Sequence, residues 1–184
     1  MVTKLYNNIQ KIMKTLIISL ICMLTTNCDY SSENDKFTLQ RENFSGNQLR
    51  VDGYYYQEYG NPPYRSPFFL FKNGVVFDPG GGYYVSEYKK WELRILDKKD
   101  MNAQISELWW GQFVVNDSII KFEKYYPGDG PLWSYIKEGV IINDTTFHIT
   151  KSYRSNGSEL KERDEMYHFR KFSPKPDSTN VFVK

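Results

Sequence analysis

The chain has 184 residues, of which 40% are apolar, 25% charged and 17% aromatic, and it carries a formal charge of +2. That composition excludes a disordered or collagen-like chain and fits one folded domain with short extensions. No run reaches the roughly 18–20 apolar residues of a membrane-spanning helix, and no block of like charge marks nucleic acid as a partner.

Lys4, Lys11 and Lys14 precede an apolar run at 16–24, and Thr25, Thr26 and Asn27 then lead to Cys28. Charged, apolar and polar in that order is the layout of a secretory signal. It resembles a bacterial lipoprotein signal, in which the cysteine after the apolar run is acylated and becomes the first mature residue. Cys28 is the candidate lipidation site, with Thr25 and Asn27 standing where such signals usually carry Leu and a small residue. The alternatives are an ordinary cleaved signal with an incidental cysteine and a buried hydrophobic N-terminal helix. Without residues 1–27 the chain has 157 residues, with 21 basic against 22 acidic groups and a charge of −1. A body so close to neutral has no field for capturing nucleic acid or anionic membranes. Cys22 and Cys28 are the only cysteines, so the body has no disulfide framework, thiolate nucleophile or cysteine metal site.

Residues 28–48 are polar and read as a lipidated tether on which Phe37, Leu39 and Phe44 dock locally. From residue 49 the chain turns to Tyr, Phe, Val and Ile broken by Gly, Asn and Asp, the mark of strands with tight turns. Strands are expected at 49–59, 67–72, 75–78 and 82–86, the middle two joined at Asn73-Gly74. Between 87 and 109, Tyr88, Trp91 and Ile95, then Met101, Ile105 and Leu108, recur at helical spacing and predict a helical insertion with Ser86 and Asp100 as N-caps. Further strands follow at 111–115, 118–126, 133–142, 145–154 and 164–172. The tract 112–120 matches 139–147 with Asn-Asp in the same place, 27 positions apart. Each copy reads as a hairpin, since Asn and Asp tolerate the positive φ such turns demand. The expected fold is mainly β, an antiparallel up-and-down barrel of about eight strands over 49–173 with a helical insertion, then a tail at 174–184.

Gly53-Tyr54-Tyr55 resembles the Gly-x-Trp signature of lipocalins, with Tyr55 in the Trp place. Arg170 on the last strand resembles the arginine that packs over that ring and closes the barrel. The resemblance implies a barrel closed by Gly53, Tyr55 and Arg170. The whole chain is similar to small lipoproteins of the Bacteroidota, carried by the signal, the tract 139–147 and the terminal stretch 172–180. That likeness implies a lipid-anchored protein of the cell envelope and outer membrane, on its periplasmic face or at the surface, and no chemistry. Asp29, Glu33 and Asp35 resemble the acidic cue for surface export in that group. The Asp-Ser/Thr triplets at Ser118, Thr145 and Ser178 resemble its O-glycosylation sites, although turn chemistry supplies the same pattern.

The residues offer little for catalysis. No Gly-x-Ser-x-Gly occurs, and two histidines, His148 and His168, without cysteine are too few for a metal centre. Asp97 with Asp100, and Asp164 with Glu165, lie among basic residues and read as solvated charge. Gly80-Gly81-Gly82 is not followed by a phosphate-binding helix, and 127–131 lacks the alternating acids of a calcium loop. No enzyme activity, cofactor or metal is therefore expected. The aromatic excess stands out. Tyr55, Phe69, Trp109 and Trp133 are candidates to line a barrel mouth that holds a small apolar or amphiphilic ligand. The alternative is a filled barrel that docks on an envelope protein.

Overall fold

Alternating β-branched and aromatic residues between short turns give strands, and the computed structural model describes them over residues 34–97, 106–127 and 131–183. Cys28 and the whole signal segment lie outside those residues, as do Asp100, Met101 and Ile105. The strands are β1 (Gly53–Tyr59), β2 (Tyr64–Leu70), β3 (Val75–Phe77), β4 (Tyr83–Tyr84) and β5 (Trp110–Asn116). After them come β6 (Ile119–Tyr126), β7 (Trp133–Asn143), β8 (Thr146–Arg154) and β9 (Lys161–Lys171). With β4 set aside, each strand pairs antiparallel with the next along the chain, and β9 returns to β1, which closes an eight-stranded up-and-down barrel. The short β4 adds to β2 outside that cycle. At the seam Tyr55 faces Phe169 on one side and Phe68 on the other.

The two-residue period of each strand builds two separate cores. Tyr55, Phe68, Leu70, Val76, Phe113, Ile120, Phe122, Phe147, Ile149 and Tyr167 turn inward and fill the barrel. Their neighbours Tyr54, Phe69, Val75, Phe77 and Trp110 turn outward into a second buried cluster. Trp91 and Ile95 of helix α1 (Tyr88–Leu96) cover that outer face, together with Phe172 and Val183. Burying both faces explains why β2 and β3 read as continuous apolar runs, and each fully buried aromatic is worth roughly 1.5–3 kcal/mol.

Three local expectations change. Ser86 does not cap α1: it lies in a short 3₁₀ turn at Val85–Glu87, and Glu87 occupies the cap position without a side-chain bond. The two Asn-Asp turns are not copies of one another. Asp117 takes the left-handed conformation at φ 53°, whereas Asn143 Oδ1 accepts from the Thr145 amide at 2.9 Å beside a shift in register. Nor are residues 34–48 a tether; they form a strap across the barrel.

That strap is held by polar groups. The amides of Thr38 and Leu39 donate to the fully buried carboxylate of Glu123 at 2.8–3.0 Å, and Gln112 and Ser134 donate to the same group. Ser155 also donates to it. Phe37 stacks on Tyr125 at 4.4 Å, and Phe44 reaches the interior core, where Leu49 is buried. A polar composition suggested solvation throughout, and Gln40, Glu42, Asn43 and Asn47 are indeed exposed, yet the Asp35 carboxylate and the Thr38 and Leu39 amides find their partners within the protein. The tail is held similarly: Lys175 donates to the carbonyls of Val51 at 2.6 Å and Leu70 at 2.7 Å.

Candidate functional site: the barrel mouth

One end of the barrel is lined differently from the rest of its interior. Beyond Phe122 the β6–β7 register runs Phe122 to Lys137, Lys124 to Tyr135 and Tyr126 to Trp133. Since Phe122 is in the interior core, alternation sends all of these side chains inward. Ser152 on β8 faces Lys137 and Lys161 on β9 faces Ser152, so the same inward row continues across the sheet. The result is a basin of about 310 Å³. Its walls include the aromatic rings of Tyr126, Trp133 and Tyr135 and the charges of Lys137, Lys161, Arg163 and Glu165.

Most of these charges are already matched. Glu165 pairs with Lys137 at 2.5 Å and accepts from the Tyr167 hydroxyl at 3.1 Å. Burial first, then the neighbouring Glu165 charge, holds the Tyr167 phenol well above its ordinary value, so it remains a donor at neutral pH. Deeper in, Lys124 pairs with Asp78; burial works against its charge, but Asp78 together with Tyr126 outweighs burial and raises its pKa. Arg163 donates from Nε to Ser152 at 2.8 Å and lies 3.9 Å from Glu165. Lys161 has no ion pair among the described residues. The aromatic wall is fixed too: Tyr126 and Tyr135 meet edge to face at 5.7 Å, and the Arg154 guanidinium lies 4.6 Å over Trp133. Burial and the hydrogen bond to Glu159 push the Tyr135 phenol up to about 12. Arg154 in turn grips Asp35 of the strap at 2.8 Å.

Four aromatics were expected to meet in a mouth, and the structure separates them. Tyr55 is buried in the filled interior, its hydroxyl donating to the Asp144 carbonyl at 2.9 Å. Phe69 faces outward under α1, and Trp109 packs on that outer cluster. Only Trp133 lines the basin. The pattern of period two was read correctly for β1, but Phe68, not Phe69, is the inward residue of β2.

The closure expectation also needs correction. Arg170 pairs in register with Tyr54 and so shares the outer face, opposite Tyr55. Its Nε donates to Glu92 at 2.8 Å and its guanidinium lies 4.1 Å over Tyr88. Burial disfavours that charge, but Glu92 together with Tyr54 and Tyr88 outweighs burial and raises the pKa. Arg170 thus fastens the helix to the barrel, while Arg50 covers Phe169, the ring beside Tyr55. Gly53 does serve closure: a Cβ there would come within 2.0 Å of the Arg170 carbonyl oxygen, so only glycine lets β1 and β9 approach.

Among the remaining candidates, Ser118 is exposed, the Thr145 hydroxyl is tied to Asn143 at 2.8 Å, and Ser178 accepts from Asn73 at 3.2 Å. His148 lies 2.8 Å from Asp164 on the outer face, and the His168 ring is 6.0 Å from Tyr56. Among the described residues no group of three His, Cys, Asp or Glu could hold a metal. The sequence reading missed most of the basin. Lys161 and Arg163 fell before the expected start of the last strand at 164, because a charged stretch does not look like a barrel strand. Knowing that β6 and β7 pair through Phe122 and Lys137 would have exposed the rest. No family model, curated protein or solved structure matches the chain.

Proposed function

We propose that this is a lipid-anchored protein of the outer membrane, held through Cys28, that binds a small amphiphilic molecule in the mouth of its barrel and is not an enzyme. The observation that carries the reading is the basin itself. Three aromatic rings and three cations face inward over a floor of close-packed aromatics. Its 310 Å³ is at the small end of the range for ligand sites, about 300–1,000 Å³. The filled interior favours a ligand held at the rim over one swallowed whole. It also favours the second reading, a barrel that presents this rim to an envelope partner.

Native mass spectrometry of the protein from its own host tests both parts. The reading expects an acylated Cys28 and a retained small molecule that is lost in Trp133→Ala. A protein that carries no small molecule, yet cross-links through Lys161 to another envelope protein, would replace it with the second reading.

A further inference from the structure

We infer that the basin recognises the anionic headgroup of an amphiphile, a phosphate or carboxylate, with Lys161 and Arg163 receiving the charge and Tyr126, Trp133 and Tyr135 covering the adjoining apolar part. This rests on the mouth being a binding site and adds what it binds. The Lys137–Glu165 pair at 2.5 Å cancels internally, and Arg154 is held between Asp35 at 2.8 Å and Glu159 at 3.8 Å. What remains at the rim is Lys161, with no ion pair among the described residues, and Arg163, which shares Glu165 with Lys137 and stands 3.9 Å from it. Anchoring Arg163 through Nε to Ser152 fixes the guanidinium, leaving its two Nη groups as the fork that meets a phosphate or carboxylate. The protein as a whole gives no such signal, since the chain after residue 27 carries a charge of only −1; within the basin wall Lys137, Lys161 and Arg163 face the single acid Glu165.

Size and attachment agree with a headgroup. A cavity of about 150 Å³ holds a benzene ring, so 310 Å³ admits a headgroup and the first carbons of a chain, while the aromatic floor stops anything deeper. The strap also meets the barrel at this rim. Asn34 Oδ1 accepts from the Leu132 amide at 2.9 Å, and the Asp35 carboxylate accepts from the Ser134 amide at 3.1 Å, on either side of Trp133. Cys28 stands six residues before Asn34 in the sequence. The strap thus enters the described structure at the end of the barrel that carries the basin.

The full chain, titrated with dihexanoyl phosphatidylglycerol, dihexanoyl phosphatidylcholine and inorganic phosphate below micelle-forming concentrations, tests this through tryptophan emission, with Trp133→Phe assigning the signal. Saturable binding of the glycerol lipid is expected, about tenfold tighter than the choline lipid, with inorganic phosphate weaker still. Lys161→Gln and Arg163→Gln should each remove most of that preference and leave the apolar contribution. Equal affinity for the two lipids, or variants that leave the preference intact, overturns the charge assignment while the binding-module reading stands. Inorganic phosphate binding as tightly as the lipid overturns the amphiphile in favour of a free anion. No saturable binding of any probe overturns both.

Discussion

The two ends of the barrel differ in what they place inside. At one end Phe44, Val51, Val115, Ile141 and Phe169 continue the apolar interior and seal it. At the other, inward positions carry Lys124, Lys137 and Glu165, so charge faces charge where methyl groups would pack better. Desolvating such groups is costly, and well-packed apolar residues would serve stability as well or better. The contrast teaches that the sealed end is built for stability, whereas the polar end holds a shape that stability alone does not ask for.

Substitutions should separate the ends by size of effect. Phe147, fully buried and stacked on Tyr167 at 4.9 Å, anchors the interior. Phe147→Ala should cost roughly 3–5 kcal/mol in urea unfolding. At the mouth, Tyr135→Ala should cost no more than about 1 kcal/mol. Equal losses would erase the distinction. Glu123→Ala should cost about 2–3 kcal/mol, because it leaves the strap amides and Ser134 without their acceptor. Limited proteolysis should then cut the strap near Thr38 while the barrel persists.

The sealed end also carries a pH signature. Burial lowers the Lys175 pKa to about 8, with Asp52 opposing it only in part, against about 10.4 in an unfolded chain. Between those values the folded protein binds fewer protons than the unfolded one, so Lys175 makes stability rise with pH across that window. Urea midpoints at pH 7.5 and 10 should show this rise in the wild type relative to Lys175→Met; parallel shifts in both proteins would contradict it. The smallest effect belongs to the mouth cations. Lys161→Gln should change stability by no more than about 0.5 kcal/mol, which makes it a clean probe of binding.

Strand order and the helical insertion were legible because a two-residue period interrupted by Asn-Gly and Asn-Asp turns is a local signal. The burial of β2 on both faces was not, since alternation cannot reveal that α1 and Val183 cover the outside. The strap was misread because its partner, Glu123, lies 85 residues from Thr38 and looks like any surface acid in a strand. The same holds for the basin, whose members come from four strands and converge only through register. Arg170 was assigned to Tyr55 by resemblance, yet a shift of one residue along β1, from Tyr55 to Tyr54, moves its partner to the other face.

The central claim is that the polar end of the barrel is the binding end. Amide chemical shifts of the full chain, recorded with and without dihexanoyl phosphatidylglycerol, test it directly. The account predicts that the perturbed amides cluster at Tyr126, Trp133, Tyr135, Ser152, Lys161 and Arg163, with those of Phe44, Leu49 and Phe169 unchanged. Perturbations centred on the sealed end, or on the second cleft, which Tyr64, Tyr84, Glu87 and Arg94 line between α1 and β4, would contradict it.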